Sequence, residues 1–295
     1  MVAPTESATS GSARTTSSHP ILVALDGSGL SARAIPVGIR LARKRGAPLL
    51  LVRVAPLDPP PDMFGFPVGD YLGERDIAAE YVTRAVTKVK ADHPDLDVSG
   101  EVLSGAPSRS LLEAQEENSS QLTIVTSHGR SGLARMIRGS VTEDILRGTT
   151  RSTLVLWPWS LPDAPSTDEP NLAPLGDATT AELGRTVLVP LDGSARTARV
   201  IPEAFRLAHE ADGEIVLLTV LDLHALRPSR AHDLERAVEN ALHERAEVIS
   251  AAGVPTRVEV VVSPDVSGSI VSAATRTRAD LIAMTTHARG PVGKF

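Results

Sequence analysis

The sequence predicts two consecutive α/β domains, each with a mostly parallel sheet covered by helices on both faces. Its 295 residues match two domains of roughly 150 residues each. Short apolar segments alternate with amphipathic ones along most of the chain, as in consecutive βαβ units. In addition, Leu25-Asp26-Gly27-Ser28 recurs as Leu191-Asp192-Gly193-Ser194, which indicates an internal repeat.

The repeat extends beyond this tetrapeptide. A shift of 192 − 26 = 166 residues also carries Ile35-Pro36 onto Ile201-Pro202. Further along, Thr126-Ser127-His128 recurs as Thr285-Thr286-His287 with a shift of 287 − 128 = 159. The second copy is therefore shorter by 166 − 159 = 7 residues between these landmarks. We expect the difference in the loop after the second strand, which is the Pro-rich segment 55–73 in the first copy.

Composition divides the chain into four segments. Residues 1–19 are rich in Ser, Thr, Ala and Gly and predict a disordered tail. Residues 20–158 are predicted to form the first domain. Residues 159–184, rich in Pro, Asp, Ser and Thr, predict a solvated linker. Residues 185–295 form the second domain, which is expected to lack a fifth strand.

The strands of the first copy are predicted from short apolar runs, several of them continuous, as in parallel sheets covered on both faces. They are Ile21–Leu25, Leu49–Val54, Val98–Leu103, Leu122–Thr126 and Thr153–Trp157. Segments with helical spacing of apolar residues fill the gaps. Pro36 falls inside the first of these segments, so the helix is expected either to kink there or to begin late.

Charge and composition exclude several classes of function. The net charge of −6 is modest and spread along the chain, which argues against a nucleic-acid partner. The chain has no cysteine and so no disulfide or thiolate metal site. It also has neither a signal-peptide core nor an apolar run of about 20 residues, the length that spans a bilayer. We therefore expect a cytoplasmic protein without a membrane partner.

Ligands of open parallel sheets bind beyond the carboxyl ends of the strands, where helix N-termini offer N–H groups. One candidate turn of the first copy is Asp26-Gly27-Ser28, after the first strand. The other is the segment from Thr126 to Glu143, after the fourth strand.

The second of these segments has the composition of a phosphate-binding loop. Its glycines, which include Gly129 and Gly139, allow the main chain to approach a ligand closely. Ser140 and Glu143 have the spacing of a capping box, which predicts the start of a helix at Ser140. A glycine-rich loop that leads into a helix N-terminus is typical of a site for phosphate.

Gly129, nine further residues and Gly139-Ser140 resemble the back half of the signature G-x-x-G-(x)9-G-[ST] of the universal stress protein family. Thr126 stands where the family has its first glycine. The resemblance also covers the Asp26 turn, the order of strands and helices and the tandem arrangement. It implies a five-stranded sheet of order 3-2-1-4-5, with the second copy truncated after its fourth strand.

The resemblance implies an ATP site in the first copy, with Mg²⁺ or Mn²⁺ bound through the phosphates and no metal site made by the protein. Ala24 and Asp26 would contact the adenine and ribose side, and Val54 the base. The residues around the phosphates would be Thr126, Ser127, His128, Gly129, Arg130, Ser131 and Gly132, followed by Gly139, Ser140, Val141 and Thr142. No residue is expected to be catalytic.

The second copy keeps Asp192 and His287, but Ala288 replaces the glycine that matches Gly129, since 288 − 129 = 159. A degenerate site is therefore expected there. As a whole, the resemblance implies a nucleotide-dependent regulator of the stress response, rather than an enzyme. A homodimer or a pairing of the two domains is expected, with an unknown downstream partner.

Two other functions remain open at this point. Gly27-Ser28-Gly29-Leu30-Ser31-Ala32 matches the dinucleotide-binding pattern G-x-G-x-x-[GA], although no acidic residue ends the second strand and Ala195 replaces the second glycine in the second copy. The chain could also be an interaction module of the same fold that binds no nucleotide. Individually, Asp26 and Ser140 could simply cap helices, and His128 could be a structural hydrogen-bonding residue.

Overall fold

The computed structural model describes residues 19–55, 73–127, 141–157, 183–224 and 231–286. In the first copy, strands and helices alternate along the chain. They are β1 (Ile21–Leu25), α1 (Gly29–Ala32), α2 (Ala34–Arg45), β2 (Leu49–Ala55), α3 (Glu74–Asp92), β3 (Val98–Ser104), α4 (Pro107–Glu117), β4 (Leu122–Thr126), α5 (Val141–Gly148) and β5 (Thr153–Leu156).

The strands of the first copy form one sheet of order β3-β2-β1-β4-β5. β1 lies between β2 and β4 and is parallel to both, with Ile21 opposite Leu49 on one side and Leu122 on the other. The predicted doubly wound fold and strand order are therefore confirmed. Because these three strands are parallel and adjacent, their carboxyl ends lie side by side at one edge of the sheet.

Helices α2 and α3 cover the same face of this sheet. A Cβ atom on Gly38 of α2 would lie 2.6 Å from Val23 Cγ2, so this helix packs directly on β1. Gly100 of β3 is opposite Leu51, and the space beside it is filled by Val82 and Val86 of α3. The buried residues of both helices thus form a core with the odd-numbered residues of β1 and β2.

The proline inside the first predicted helix is explained by a late helix start. The segment forms the short helix α1, is interrupted at Arg33 and continues as α2 from Ala34. Pro36 is therefore the third residue of α2, and a proline in the first turn removes no intrahelical hydrogen bond. The second copy repeats the arrangement, because Pro202 is the second residue of a helix that follows a 3-10 turn, Thr197–Val200.

The second copy has the same order of elements. They are β6 (Thr186–Pro190), the 3-10 turn, α6 (Ile201–Glu210), β7 (Glu214–Asp222), α7 (Ala231–Ala251), β8 (Thr256–Ser263), α8 (Val266–Thr277) and β9 (Leu281–Ile282). Its described strands form a four-stranded sheet of order β8-β7-β6-β9. No helix in the described ranges is long and apolar enough to cross a membrane.

Strand register shows where the second copy is shorter. Leu49 pairs with Ile21 and Ile215 with Val187. Leu49 therefore corresponds to Ile215, since 215 − 49 = 187 − 21 = 166. Val98 corresponds to Thr256, a shift of 256 − 98 = 158. The second copy is therefore shorter by 166 − 158 = 8 residues between the second and third strands, in the interval that contains the predicted loop. It is longer by one residue between the third and fourth strands, because Leu281 corresponds to Leu122 with a shift of 281 − 122 = 159.

Candidate functional site

The turn after β1 is held by hydrogen bonds between its own residues. Gly27 has a φ of 88°, a left-handed conformation that favours glycine. The Asp26 carboxylate accepts a hydrogen bond from the Ser28 N–H (2.8 Å), and Ser28 Oγ caps α1 by accepting from the Ser31 N–H (3.1 Å). The Asp26 N–H donates to Ser31 Oγ (3.2 Å). Asp26 thus forms an Asx turn at the carboxyl end of the central strand and is exposed to solvent.

Ala24 and Val54 lie on the same face of the first sheet. Ala24 is opposite Val52, and side chains two residues apart in a strand share a face, so Val54 is on the side of Ala24. Both are half-buried, whereas Val23 and Val52 are completely buried. The face opposite α2 and α3 therefore has partly accessible apolar groups at the carboxyl edge, beside Asp26.

Thr126 and Ser127 mark the carboxyl end of β4, and both are half-buried. The Ser127 N–H donates to the carbonyl of Leu156 at 2.9 Å, so this N–H is already engaged within the sheet. Val141 and Thr142 are the first described residues of α5. The remaining predicted contacts lie outside the described residues. They are His128, Gly129, Arg130, Ser131, Gly132, Gly139 and Ser140.

The structure adds two residues that the sequence analysis missed. Arg53 is opposite Leu25 in β2, and its Cζ lies 5.1 Å from the centre of the Tyr81 ring. A Cβ on Gly27 would lie 2.9 Å from the same atom. The guanidinium is therefore placed between the aromatic ring and the main chain of the Asp26 turn. A charged residue within an otherwise apolar strand was the signal that could have revealed it.

The Tyr81 side chain is buried beneath this turn. Burial raises the pKa of Tyr81 above its usual value, Asp26 adds to the increase, and Ser31 and Arg53 oppose it. Ser31 is close enough to influence the pKa, yet Tyr81 Oη has no partner with regular hydrogen-bond geometry among the described residues. The ring therefore serves as a neutral surface for the Arg53 cation.

The corresponding turn of the second copy has the same main chain and the same side-chain hydrogen bonds, with one more bond at its carboxylate. Asp192 accepts hydrogen bonds from the Ser194 N–H (2.8 Å) and from Thr197 Oγ1 (2.7 Å). Hydrogen bonds from Ser194 and Thr197 lower the pKa of Asp192 from 3.8 to about 2. Thr219 stands in the place of Arg53, since 219 − 53 = 166, and donates to the Leu191 carbonyl at 3.0 Å.

A cavity of about 160 Å³ lies at the carboxyl edge of the second sheet, lined by Asp192, Thr197, Val220, Ile270, Met284 and Thr285 among others. Pockets that enclose drug-sized ligands usually have about 300–1,000 Å³. A second, more open groove of about 310 Å³ lies between β8 and α8. Its Asp265 accepts a hydrogen bond from the Gly268 N–H at 2.9 Å and so caps α8.

The arrangement in the first copy is suited to binding. An exposed carboxylate can accept hydrogen bonds from hydroxyl groups of a ligand, and half-buried apolar side chains beside it can pack against a flat base. The pattern Gly27 to Ala32, which allowed a dinucleotide-binding site, forms a tight turn and a one-turn helix. It does not open a long helix, as the dinucleotide fingerprint requires.

Comparisons with known proteins agree with this fold. The model of the universal stress protein family matches residues 18–156 and 184–295, which is more than half of the chain. Universal stress protein Rv2005c of Mycobacterium tuberculosis is 31% identical over 136 residues, covering 46% of this chain and 44% of that protein. Universal stress protein MJ0531 of Methanocaldococcus jannaschii is 27% identical over 139 residues, covering 46% and 80%. The match spans less than half the length of the mycobacterial relative.

Two solved structures share the architecture over most of the chain. A universal stress protein from Archaeoglobus fulgidus covers 90% of this chain with a TM-score of 0.63 and 19% identity, and 84% of that chain is matched. A protein described as a putative universal stress protein from Pseudomonas aeruginosa covers 93%, with a TM-score of 0.58, 15% identity and 84% of its own chain matched. At these identities the likeness shows the fold. Together with the family match to both copies, it establishes that the chain belongs to the universal stress protein family.

Proposed function

We propose that the first copy binds an adenine nucleotide and that the protein acts in the cytoplasm as a nucleotide-dependent regulator of the stress response. The expected ligand is ATP. The observation that carries this proposal is the Asx turn at Asp26, at the carboxyl end of the central strand. It lies beside two half-buried apolar residues on one face, Ala24 and Val54. This is the position where open parallel sheets bind ligands.

The residues present suit the base and ribose of such a ligand. Asp26 would accept hydrogen bonds from ribose hydroxyls, and Ala24 and Val54 would pack against the adenine. The phosphates would be held by the main chain of the glycine-rich segment 126–132 and by Gly139 to Thr142, with Arg130 as a cation. A bound Mg²⁺ or Mn²⁺ would neutralise phosphate charge. We propose binding, and not catalysis, as the main role.

The test is to identify the nucleotide that copurifies with the protein by mass spectrometry and to titrate ATP with Mg²⁺ calorimetrically. Gly129→Val and Gly139→Val introduce side chains where the loop must approach the phosphates, and we expect both to abolish most of the binding. Ala288→Val, at the matching position of the second copy, is the control and should leave affinity unchanged. Unchanged ATP affinity in both glycine variants would refute the assignment.

A second candidate is an interaction module of the same fold that binds no nucleotide. Thr126 in place of the family's first glycine favours it, and so does the Ser127 amide, which is engaged with Leu156. Melting curves with and without Mg-ATP distinguish the two functions. A ligand that binds the native state must raise the melting temperature, whereas an interaction module would melt at the same temperature in both samples.

A further inference from the structure

Arg53 is the charged residue of an otherwise apolar strand, β2. It lies on the face that α2 and α3 cover, in register with Leu25 and directly below the turn that carries Asp26. Placing a half-buried cation there is costly unless it has partners. The question is therefore what the guanidinium does at this position.

The guanidinium is held from two sides. On one side it stacks on Tyr81, at a distance within the usual range of cation–π contacts. On the other side it lies against the main chain at Gly27, which has no side chain in the space that the guanidinium takes. The turn is thus supported from below by a planar group that is itself fixed by a buried ring.

The Tyr81 hydroxyl lies near both charged groups of the site. Burial and Ser31 have the largest effects on the pKa of Tyr81, to which Asp26 adds an increase and Arg53 a decrease. The ring therefore lies close to both Arg53 and the Asp26 turn, and the guanidinium supports the turn by packing against it.

The second copy shows a different solution for the same main chain. Thr219 replaces Arg53 and bonds to the Leu191 carbonyl, and the Asp192 carboxylate is held by Thr197 Oγ1. In the first copy the residue that matches Thr197 is Ser31, and both hydroxyls donate to the carbonyl of the serine three residues before, at 3.0 Å from Ser31 and 3.1 Å from Thr197. The second turn therefore has an added hydrogen bond from its own threonine to the carboxylate, whereas the first turn has the Arg53 guanidinium packed against its glycine.

We propose that Arg53, stacked on Tyr81, is a positioning residue that holds the Asp26 turn so that the carboxylate faces the ribose hydroxyls of the bound nucleotide. This inference rests on the proposed function. Arg53 acts through Asp26, and its loss should remove recognition of the ribose while contacts with base and phosphates persist.

The experiment compares the dissociation constants of ATP and 2′,3′-dideoxy-ATP, which lacks both ribose hydroxyls. A hydrogen bond to a charged group contributes enough to expect at least about tenfold weaker binding of the dideoxy nucleotide to the unaltered protein. In Arg53→Gln we expect this ratio to fall to within about threefold of one, mainly through weaker ATP binding. A general loss of structure would instead weaken both nucleotides equally and keep the ratio.

Three further variants separate positioning from folding. Tyr81→Phe keeps the ring and should keep the ratio, whereas Tyr81→Leu removes the ring and should lower it. Arg43→Gln removes another arginine of the first copy, one paired with Asp95 at 2.6 Å, and should leave the ratio unchanged. If Arg53→Gln does not fold, Arg53→Lys is the decisive variant, because it keeps the charge and loses the planar guanidinium that fills the space between Tyr81 and Gly27.

The outcomes are distinct. An unchanged ratio in Arg53→Gln or, failing its folding, in Arg53→Lys overturns the positioning role. A ratio near one in the unaltered protein also overturns the positioning role. If that protein still binds ATP, the proposed function stands. If the unaltered protein binds neither nucleotide, the proposed function fails first.

Discussion

Asp26 and Asp192 occupy matching turns, and each accepts a hydrogen bond from the N–H of the serine two residues on, but the Asp192 carboxylate accepts a further one from Thr197. At Asp192 the hydroxyl of Thr197 and the N–H of Ser194 both donate to the same carboxylate oxygen. Donors that bind the ionised form of an acid lower its pKa. The second carboxylate is thus committed to its own turn, which leaves it less able to accept hydrogen bonds from a ligand.

We expect the carboxyl group of Asp192 to titrate near pH 2 and to return toward its usual pKa in Thr197→Val, which lacks the donor hydroxyl. Because the folded pKa is lowered from 3.8 to about 2, the carboxylate stabilises the fold above the unfolded value, and this is lost as the pH falls through about 2. Carbon-detected NMR titration measures both midpoints. A midpoint near 3.8 in the unaltered protein would contradict the hydrogen bonds described.

Gly27 and Gly193 form a matched pair for a test of the Arg53 contact. Both have a positive φ, 88° and 83°, and alanine in this conformation costs about 1–2 kcal/mol. At Gly193 the space for a Cβ is open, whereas at Gly27 it is taken by the Arg53 guanidinium. We expect Gly27→Ala to lower the free energy of unfolding by about 1 kcal/mol more than Gly193→Ala, as measured by urea denaturation. Equal losses of unfolding free energy in the two variants would show that the Arg53 guanidinium moves aside without measurable cost.

At the scale of elements, periodicity and composition predicted strands and helices well. Two of the five predicted strands of the first copy have the predicted bounds, and the other three, such as β2 ending at Ala55, differ by one residue. Apolar runs predict strands here because a parallel strand covered by helices on both faces buries nearly all of its side chains. The break at Arg33 was not predictable in the same way, because it depends on hydrogen bonds within the Asp26 turn.

The site was only partly predictable for a related reason. The place of Asp26 after the first strand singled out its turn, and the family resemblance implied Ala24 and Val54, which the structure puts on one face. Arg53 meets Tyr81 across 81 − 53 = 28 residues of chain, and no local pattern encodes that contact. Contacts of this kind depend on how a helix is placed on the sheet, which the sequence pattern alone leaves open.

The close packing of α2 on β1 gives a prediction for this element. Alanine in place of Gly38 improves helix propensity by about 1 kcal/mol, but its Cβ would lie 2.6 Å from Val23 and 3.0 Å from Leu49. Both neighbours are completely buried, so overpacking should cost about 1–3 kcal/mol. We expect a net loss of about 1 kcal/mol in urea denaturation. Gly73→Ala, whose Cβ would be 3.8 Å from Ile77, is a comparison without overpacking. Its loss should be limited to the preference for glycine over alanine at the N-cap of α3.

At the scale of the whole molecule, the two copies share the order of their strands and differ in the side chains at matching positions. The hydrogen bonds between the segments that precede the first and fourth strands show this difference. Gln121 donates to the His19 carbonyl at 2.9 Å, and its counterpart Asp280, with 280 − 121 = 159, accepts from the Gly184 and Arg185 N–H groups at 3.0 and 2.9 Å. The same connection is made with opposite hydrogen-bond polarity.

This divergence leads us to expect one nucleotide bound per chain. The second copy has Ala288 where the first has Gly129, its Asp192 is held by Thr197, and the cavity of about 160 Å³ at its sheet edge is small for a nucleotide. Isothermal titration with Mg-ATP should therefore give a stoichiometry near one. Asp26→Ala should weaken binding about tenfold or more, since it removes a charged acceptor, whereas Asp192→Ala should leave both affinity and stoichiometry unchanged. A stoichiometry of two, or equal losses in the two aspartate variants, would show that both copies have kept the site.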